Sequence, residues 1–279
     1  MLTGLFLLLT IIINLVSKVL NMLIILRLTY LLTKPNHGTP MNTKEINMTV
    51  TTTELNDLFR YCGDIGMFAT DRPINDTENH TGSCDHRTDY CDDTCYNVKL
   101  YKMYPNMSKR DDRCETIWQK LDKTNSDFTD FFSRKHKDTS RVRHMTRGEA
   151  FKKAIDVYRV KTMCLLNPDQ LWWIPTRAWR DTRLKALIEK ELMPLDNCAV
   201  NASFDPSNTD EEWKLMIDSD WNIMFYGDDN LTSDPVYGKR MFKCPKTWKK
   251  MSGHCNDCKA GCFAQKTINR TQIVHLSEH

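Results

Sequence analysis

The eleven cysteines are the residues of this sequence with the widest choice of chemistry, since a thiolate binds metals and forms disulfides. All of them follow residue 61. Cys255, Cys258 and Cys262 are separated by two and three residues and lie beside His254, which is a spacing suited to a thiolate metal site. Cys84, Cys91 and Cys95 lack paired arms of the zinc-finger type. Metal binding fits a reducing compartment and disulfides fit an oxidising one, so the compartment decides between them.

A tryptophan-rich segment is the second candidate. Trp172, Trp173 and Trp179 fall close together, and indole faces can stack on a nicotinamide, a base or a sugar. Glu189 and Glu191 follow on a predicted helix, where a carboxylate near stacked aromatics could stabilise an oxocarbenium-like centre. The alternative is that the indoles fill the core and the glutamates lie on the surface. The sequence has no glycine-rich phosphate loop, no G-x-S-x-G and no H-E-x-x-H.

The N-terminus indicates the compartment. Residues 1–33 are nearly all apolar and long enough for a signal-anchor or transmembrane segment, and no A-x-A-like cleavage site follows them. The sequence leaves open whether this segment is cleaved. Residues 34–53 are polar, with several threonines, and are typical of a stalk. Residues 54–279 are then a glycosylated, disulfide-rich ectodomain, at the cell surface in type II single-pass orientation or secreted.

Seven N-glycosylation sequons support the secretory pathway. Their acceptors are Asn47, Asn75, Asn79, Asn106, Asn201, Asn230 and Asn269. An oxidising compartment makes disulfides the favoured state of the cysteines, and the odd count leaves one thiol over. The predicted disulfide-forming residues are Cys62, Cys84, Cys91, Cys95, Cys114, Cys164, Cys198, Cys244, Cys255, Cys258 and Cys262. No metal is predicted on this interpretation.

Composition and periodicity set the fold class. A formal net charge of +3 excludes a strongly basic nucleic-acid binder, and 10 glycines and 10 prolines exclude a collagen-like chain. Apolar residues at helical spacing occur in residues 54–61, 114–121 and 184–192. Thr146 and Glu149 have the spacing of a capping box before Phe151. The strand signal is confined to residues 223–226, so we predict a mainly α fold with a small α/β or irregular disulfide-rich C-terminal part.

Four short elements occur in the order known from one enzyme family. Residues 54–62 (ELNDLFRYC) form a leader helix before a cysteine, and residues 113–118 (RCETIW) place an aliphatic residue and a tryptophan after the next one. Cys164 precedes Leu-Trp-Trp at 171–173, and Cys244 is followed by proline, with Trp248 beyond it. This ordered set resembles the ADP-ribosyl cyclase (cyclic ADP-ribose hydrolase) family.

The resemblance implies a membrane-anchored NAD glycohydrolase, with NAD as substrate and no cofactor. Trp172 or Trp173 would stack on the nicotinamide, and Glu189 would contact its carboxamide. No residue of this sequence matches the catalytic glutamate of the family, which would lie beyond His279. Turnover of NAD is therefore expected to be feeble or absent.

A second hypothesis belongs to another class. A non-catalytic, cysteine-rich surface glycoprotein would bind a protein partner, with its indoles buried and an apolar patch exposed. In both hypotheses the N-terminal segment contacts a membrane and no nucleic acid is bound. The location of the two indoles, in a cleft or in the core, distinguishes the two.

Overall fold

The computed structural model describes residues 50–121, 140–219, 221–228, 230–248, 255–258, 262–263 and 272–277. The predicted signal-anchor over residues 1–33 and the stalk as far as residue 49 lie outside these residues, as do Asn47 and Asn269. Within the described ranges, every helix is too short or too polar to span a bilayer.

Strands and helices alternate along most of the described chain. The strands are β1 (Arg60–Cys62), β2 (Met67–Ala69), β3 (Arg141–Arg143), β4 (Leu171–Thr176), β5 (Cys198–Phe204), β6 (Asn222–Gly227), β7 (Phe242–Lys243) and β8 (Ile273–Ser277). The helices are α1 (Thr52–Leu58), α2 (Asp89–Thr94), α3 (Tyr96–Met103), α4 (Pro105–Lys120), α5 (Ala154–Leu166), α6 (Thr182–Glu191), α7 (Asp210–Asp218) and α8 (Pro245–Trp248).

The described strands form one sheet in the order β1-β2-β3-β4-β5-β6-β8-β7. β1 pairs antiparallel with β2, and every other pairing is parallel. From β2 to β6 the spatial order is the chain order, with helices in each connection, as in a (β/α) barrel. The carboxyl ends of these strands therefore meet at one edge of the sheet.

The predicted mainly α fold is wrong, because an eight-stranded, mostly parallel sheet runs through the described chain. Parallel strands are covered on both faces, so they lack the alternation that reveals a half-exposed strand. β2 and β3 have three residues each, which is too short for a periodic signal. The segment around Trp172, which was predicted to stack on a substrate, forms the strand β4.

The two faces of the sheet are packed differently. Alternate residues of β4, such as Trp172 and Ile174, lie in the main hydrophobic core together with residues of the helices. Met67 and Ala69 of β2 belong to a smaller cluster that includes Cys255 and Phe263. We call this second side the concave face, because residues from β3 through β8 line one cavity on it. The concave face is the side on which the sheet leaves room for a ligand.

Two buried ionic clusters fix the loop that follows β2. Arg72 contacts Glu115 of α4 at 2.5 Å and Asp156 of α5 at 3.2 Å. Asp71 contacts Arg147 at 2.9 Å, and also Arg60 and Arg110. Burial by itself would raise the pKa of Asp71, but Arg147 and Arg60 lower it to about 2. The loop after β2 is therefore held by charge to the helices on one side and to the loop after β3 on the other.

Candidate functional site

A cavity of about 220 Å³ opens on the concave face where the parallel strands end. Its lining includes Arg143 of β3, Pro175 of β4, Ser203 of β5, Met224 of β6 and Leu276 of β8. In enzymes with this strand order, the carboxyl-end loops form the active site. The cavity is therefore the candidate site.

Two of the three cysteines on the segment between β2 and α4 line this cavity. They are Cys91 of α2 and Cys95, which directly precedes α3. Cys84 is half-buried and lines a second cavity, and the thiols of Cys91 and Cys95 act on it electrostatically. We call these three residues the three-cysteine set. Cys91 and Cys95 lie at the edge of the sheet where a cofactor or substrate would bind.

Ser83 fixes the position of Cys84. The Ser83 Oγ donates to the Pro73 carbonyl and accepts from the Glu149 backbone N–H, each at 2.8 Å. Gly148 makes this approach possible, since it has φ +77° and an added Cβ would lie 2.5 Å from the Ser83 Oγ. The loop after β3 thus holds the first cysteine in place.

Thr88 fixes the position of Cys91. The Thr88 Oγ1 caps α2 by accepting from the Cys91 backbone N–H at 3.0 Å, and it donates to Asp205 at 2.6 Å. Asp205 follows β5 and also contacts Arg177, which follows β4, at 2.7 Å. The second cysteine is therefore tied to the ends of two central strands.

Burial keeps two thiols of the set protonated. It raises the pKa of Cys84 to about 12, with contributions from Glu149, Cys91 and Cys95 included in that value. Burial also raises the pKa of Cys91. A bound metal centre would supply positive charge and deprotonate its thiols. Thiolates at Cys84 and Cys91 would therefore be metal-bound rather than free.

Two arginines bring unsatisfied donors to the same cavity. Arg177 Nη1 and Arg143 Nε are both buried and have no hydrogen-bond partner among the described residues. Glu149 also lines the cavity, and its carboxylate accepts from Thr176 Oγ1 and from the Arg177 backbone N–H. The arginines are placed to receive an anionic group, as guanidinium donors do for carboxylate and phosphate.

A second group of four cysteines lies elsewhere on the concave face. We call Cys244, Cys255, Cys258 and Cys262 the four-cysteine set. Burial, together with the other three thiols, raises the pKa of Cys262 to about 12. The backbone carbonyls of Cys255 and Cys258 both accept from Arg141 Nη1 at 2.8 Å.

The remaining cysteines have other surroundings. Cys164 and Cys198 are buried and hydrogen-bonded to each other. Cys114 donates to the Asp57 carbonyl, and Cys62 packs against the small cluster that Cys255 also contacts. All eleven cysteines lie within the described residues, and no two of their sulfurs are joined. The predicted disulfides stay a prediction, for which Cys164 and Cys198 are the best-placed pair. Among the described residues, no three or more His, Cys, Asp or Glu side chains are grouped to hold a metal ion.

The predicted substrate-stacking residues are not brought together. Trp172 is fully buried and packs on Phe59 at 6.1 Å between ring centroids, within the main core. Trp173 faces the other side, with 4 % of its surface exposed, between Phe263 and the Arg143 guanidinium. Glu189 lies on α6, where it accepts from Trp221 Nε1 at 2.8 Å and from Lys185. Neither indole offers a free face beside this carboxylate, because both fill the interior.

The sequons differ in their accessibility. Asn75, Asn79, Asn106 and Asn230 are exposed. Asn201 lies in β5 with 3 % of its surface exposed, and its side chain donates to the carbonyls of Ala199 and Cys262. A glycan has no room at Asn201 in the folded chain, so this predicted acceptor does not fit the structure.

Comparison of the chain with protein-family models, with curated proteins and with solved structures finds no match. The resemblance to ADP-ribosyl cyclases therefore stays a prediction, and the geometry of the candidate site is the remaining basis for a function.

Sequence reasoning missed most of the residues that surround the three cysteines. Arg143 ends β3, Arg177 and Asp205 directly follow β4 and β5, and Glu149 comes a few residues after β3. These residues share a position at or just beyond the end of a parallel strand. That position can be recognised only once the strands are known. The predicted capping box of Thr146 and Glu149 is wrong, since α5 begins at Ala154 and Glu149 instead binds the loop after β4.

Proposed function

We propose that this protein is an iron–sulfur enzyme whose three-cysteine set binds a [4Fe–4S] cluster at the cavity. One observation carries the proposal: Cys91 and Cys95, on the segment after the first parallel strand, line the cavity where the strands of the (β/α) sheet end, and their thiols act electrostatically on Cys84. Active sites of such folds lie at this edge. Cysteine thiolates are the usual ligands of iron–sulfur clusters.

A cluster fits this set better than a single ion does. Zinc bonds of about 2.3 Å would bring its thiolates within about 4 Å of one another. No two of the three sulfurs are joined, and no group in the described ranges is arranged around one ion. A cubane is larger than an ion, so its ligands stand farther apart. Three cysteines also leave one iron open to a ligand, and the cluster supplies single-electron chemistry when bound.

The ligand class follows from the two arginines. The free donors of Arg177 and Arg143 favour a carboxylate beside the open iron. Carboxylate oxygen and amine nitrogen are groups that iron accepts, so an α-amino acid end satisfies the iron and the arginines together. S-adenosylmethionine has such an end and serves radical chemistry in enzymes. We infer that the cavity binds a small α-amino acid of this type.

Anaerobic reconstitution of the full-length protein with iron and sulfide tests the proposal. We expect Cys91→Ala to lose at least three quarters of the bound iron attributable to this site. Cys114→Ala is the matched control, because that thiol is also buried but its charged neighbours are Arg110, Asp111 and Asp71 rather than cysteines. S-adenosylmethionine should change the electron paramagnetic resonance spectrum of the reduced protein.

Two outcomes would reject the proposal. The first is equal iron content in the Cys91→Ala and Cys114→Ala variants. The second is a parent protein in which two members of the three-cysteine set form a disulfide after purification without oxygen. An electron paramagnetic resonance spectrum that S-adenosylmethionine does not change would reject the open iron but not the cluster itself.

The non-catalytic surface glycoprotein is the second candidate. Burial of Trp172 and Trp173 is what that hypothesis predicts, and Met103 and Tyr104 at the end of α3 are 61 % and 57 % exposed. Such a protein would hold its cysteines as stable disulfides and bind no iron. Release of nicotinamide from NAD stays a separate prediction, tested by comparing the parent with a Trp172→Ala, Trp173→Ala variant.

A further inference from the structure

We propose that the four-cysteine set binds a second [4Fe–4S] cluster, with each iron ligated by a cysteine. This goes beyond the proposed function, since the ligands are different residues in a different part of the concave face. The cysteines come from two places in the chain: Cys244 directly follows β7, and Cys255, Cys258 and Cys262 follow α8.

Hydrogen bonds hold both parts of the set against the sheet. The Cys244 backbone N–H donates to the His275 carbonyl of β8 at 2.8 Å. Arg141, the first residue of β3, donates from Nη1 to the carbonyls of Cys255 and Cys258. Asn201 Nδ2 of β5 donates to the Cys262 carbonyl at 3.2 Å. Three strands therefore fix the backbone of the segment, and its thiols remain available as ligands.

Contacts at the turn between β1 and β2 bring the two parts of the set together. Lys246, two residues after Cys244, donates from Nζ to the Asp64 carbonyl at 2.5 Å, and the backbone N–H of Asn256, next to Cys255, donates to the Ile65 carbonyl at 3.3 Å. Burial and Cys244 raise the pKa of both Cys255 and Cys262, in agreement with this arrangement. Arg143 opposes this effect at both Cys255 and Cys262. Its guanidinium lies 4.6 Å from the Trp173 ring centroid, and the same residue lines the candidate cavity. Arg143 thus provides positive charge between the two cysteine sets.

A cluster explains this arrangement better than disulfides or zinc. Cys164 and Cys198 show what a pair in direct contact looks like, since their thiols are hydrogen-bonded. No sulfurs of the four-cysteine set are joined to one another. Zinc would require its four sulfurs within about 4 Å of each other, and among the described residues no three such side chains are grouped to hold one ion. Four cysteine thiolates are the ligand set of a closed [4Fe–4S] cluster.

Iron and acid-labile sulfide counts on anaerobically reconstituted protein test the inference. We expect about eight irons in the parent, and about four in a Cys255→Ala, Cys258→Ala variant and in a Cys84→Ala, Cys91→Ala, Cys95→Ala variant. Cys62→Ala is the matched control, because Cys62 packs against the same small cluster as Cys255 without belonging to the set. It should keep about eight irons. S-adenosylmethionine should leave the spectrum of the closed cluster unchanged.

Alkylation of the parent protein keeps the test decisive if a variant fails to fold. All four thiols should resist iodoacetamide in the reconstituted protein and react after iron is removed by a chelator. One zinc per chain in place of the second cluster, a disulfide within the set, or unchanged iron in the Cys255→Ala, Cys258→Ala variant would overturn the inference. Loss of iron from the Cys84→Ala, Cys91→Ala, Cys95→Ala variant alone would also overturn this inference, although the proposed function would stand.

Discussion

His144 shows how a single residue in this interior sets the response to acid. It is fully buried, its Nδ1 lies 3.0 Å from the Thr70 Oγ1, and its ring packs on Trp118. Burial, reinforced by the nearby Arg72, lowers its pKa from 6.5 to about 3. The residue is therefore neutral in the folded chain at physiological pH.

The pH dependence of stability follows from this shift. Between pH 6.5 and 3 the unfolded chain binds a proton at His144 that the folded chain does not, so stability is present above pH 6.5 and lost as the pH falls. The loss has a slope of up to about 1.4 kcal/mol per pH unit. Urea unfolding at several pH values should show a shallower slope for His144→Gln. An unchanged slope would contradict the assignment.

Arg72 is the residue whose removal should cost most stability. Its guanidinium is buried between Glu115 and Asp156, and loss of one partner leaves buried charges uncompensated. We expect Arg72→Met to lower the free energy of unfolding by about 3–5 kcal/mol. Arg87→Met is the control, because its ion pair with Asp92 is exposed and should contribute less than about 1 kcal/mol. Similar losses in the two variants would contradict this prediction.

At the scale of elements, the loop after β3 positions the loop that carries Cys84. Gly148→Ala adds a Cβ against the Ser83 Oγ at a backbone position with positive φ. Gly238→Ala adds a Cβ at a position with φ +64°, but no atom lies within 4 Å of it. Left-handed backbone costs an alanine about 1–2 kcal/mol, so Gly238→Ala should lose that amount and Gly148→Ala more. Urea unfolding measures both losses. Only Gly148→Ala should also lose iron from the three-cysteine set.

The helix caps provide a second matched pair. Thr88 caps α2 and Thr209 caps α7, and loss of either side chain should cost about 1 kcal/mol. Thr88→Ala also removes the contact to Asp205 that positions Cys91. Because the buried Asp205 carboxylate loses a hydrogen bond as well, thermal unfolding should shift more in Thr88→Ala than in Thr209→Ala, and iron content should fall only in Thr88→Ala. Equal iron content would show that the cap does not position the cysteine.

Helices were easier to predict from the sequence than strands, and among the described strands only β6 coincides with a predicted strand, at residues 223–226. The helices near residues 54–61 and 184–192 expose one face, so their apolar spacing is visible, and they are present as α1 and α6. β5 is covered on both faces and carries Asn201 among apolar residues, so neither alternation nor hydrophobicity marks it. The sequence alone singles out the cysteines as candidate ligands. Which of them lie close together depends on the order of the strands in the sheet, which the sequence does not show.

For the whole molecule, the two interpretations of the cysteines require different compartments. Disulfides and glycans belong to the secretory pathway, and the exposed sequons at Asn75 and Asn106 are compatible with that prediction. Thiolate-bound clusters require reducing conditions during assembly. Protein purified without oxygen from a reducing cytosol should therefore contain iron, and protein recovered from a secretory route should contain little.

Iron-edge anomalous diffraction from anaerobically grown crystals tests the central claim most directly. We expect an anomalous peak enclosed by the sulfurs of Cys84, Cys91 and Cys95, at the mouth of the cavity that Arg177 lines. Continuous density joining two of these sulfurs, with no iron between them, would contradict the account.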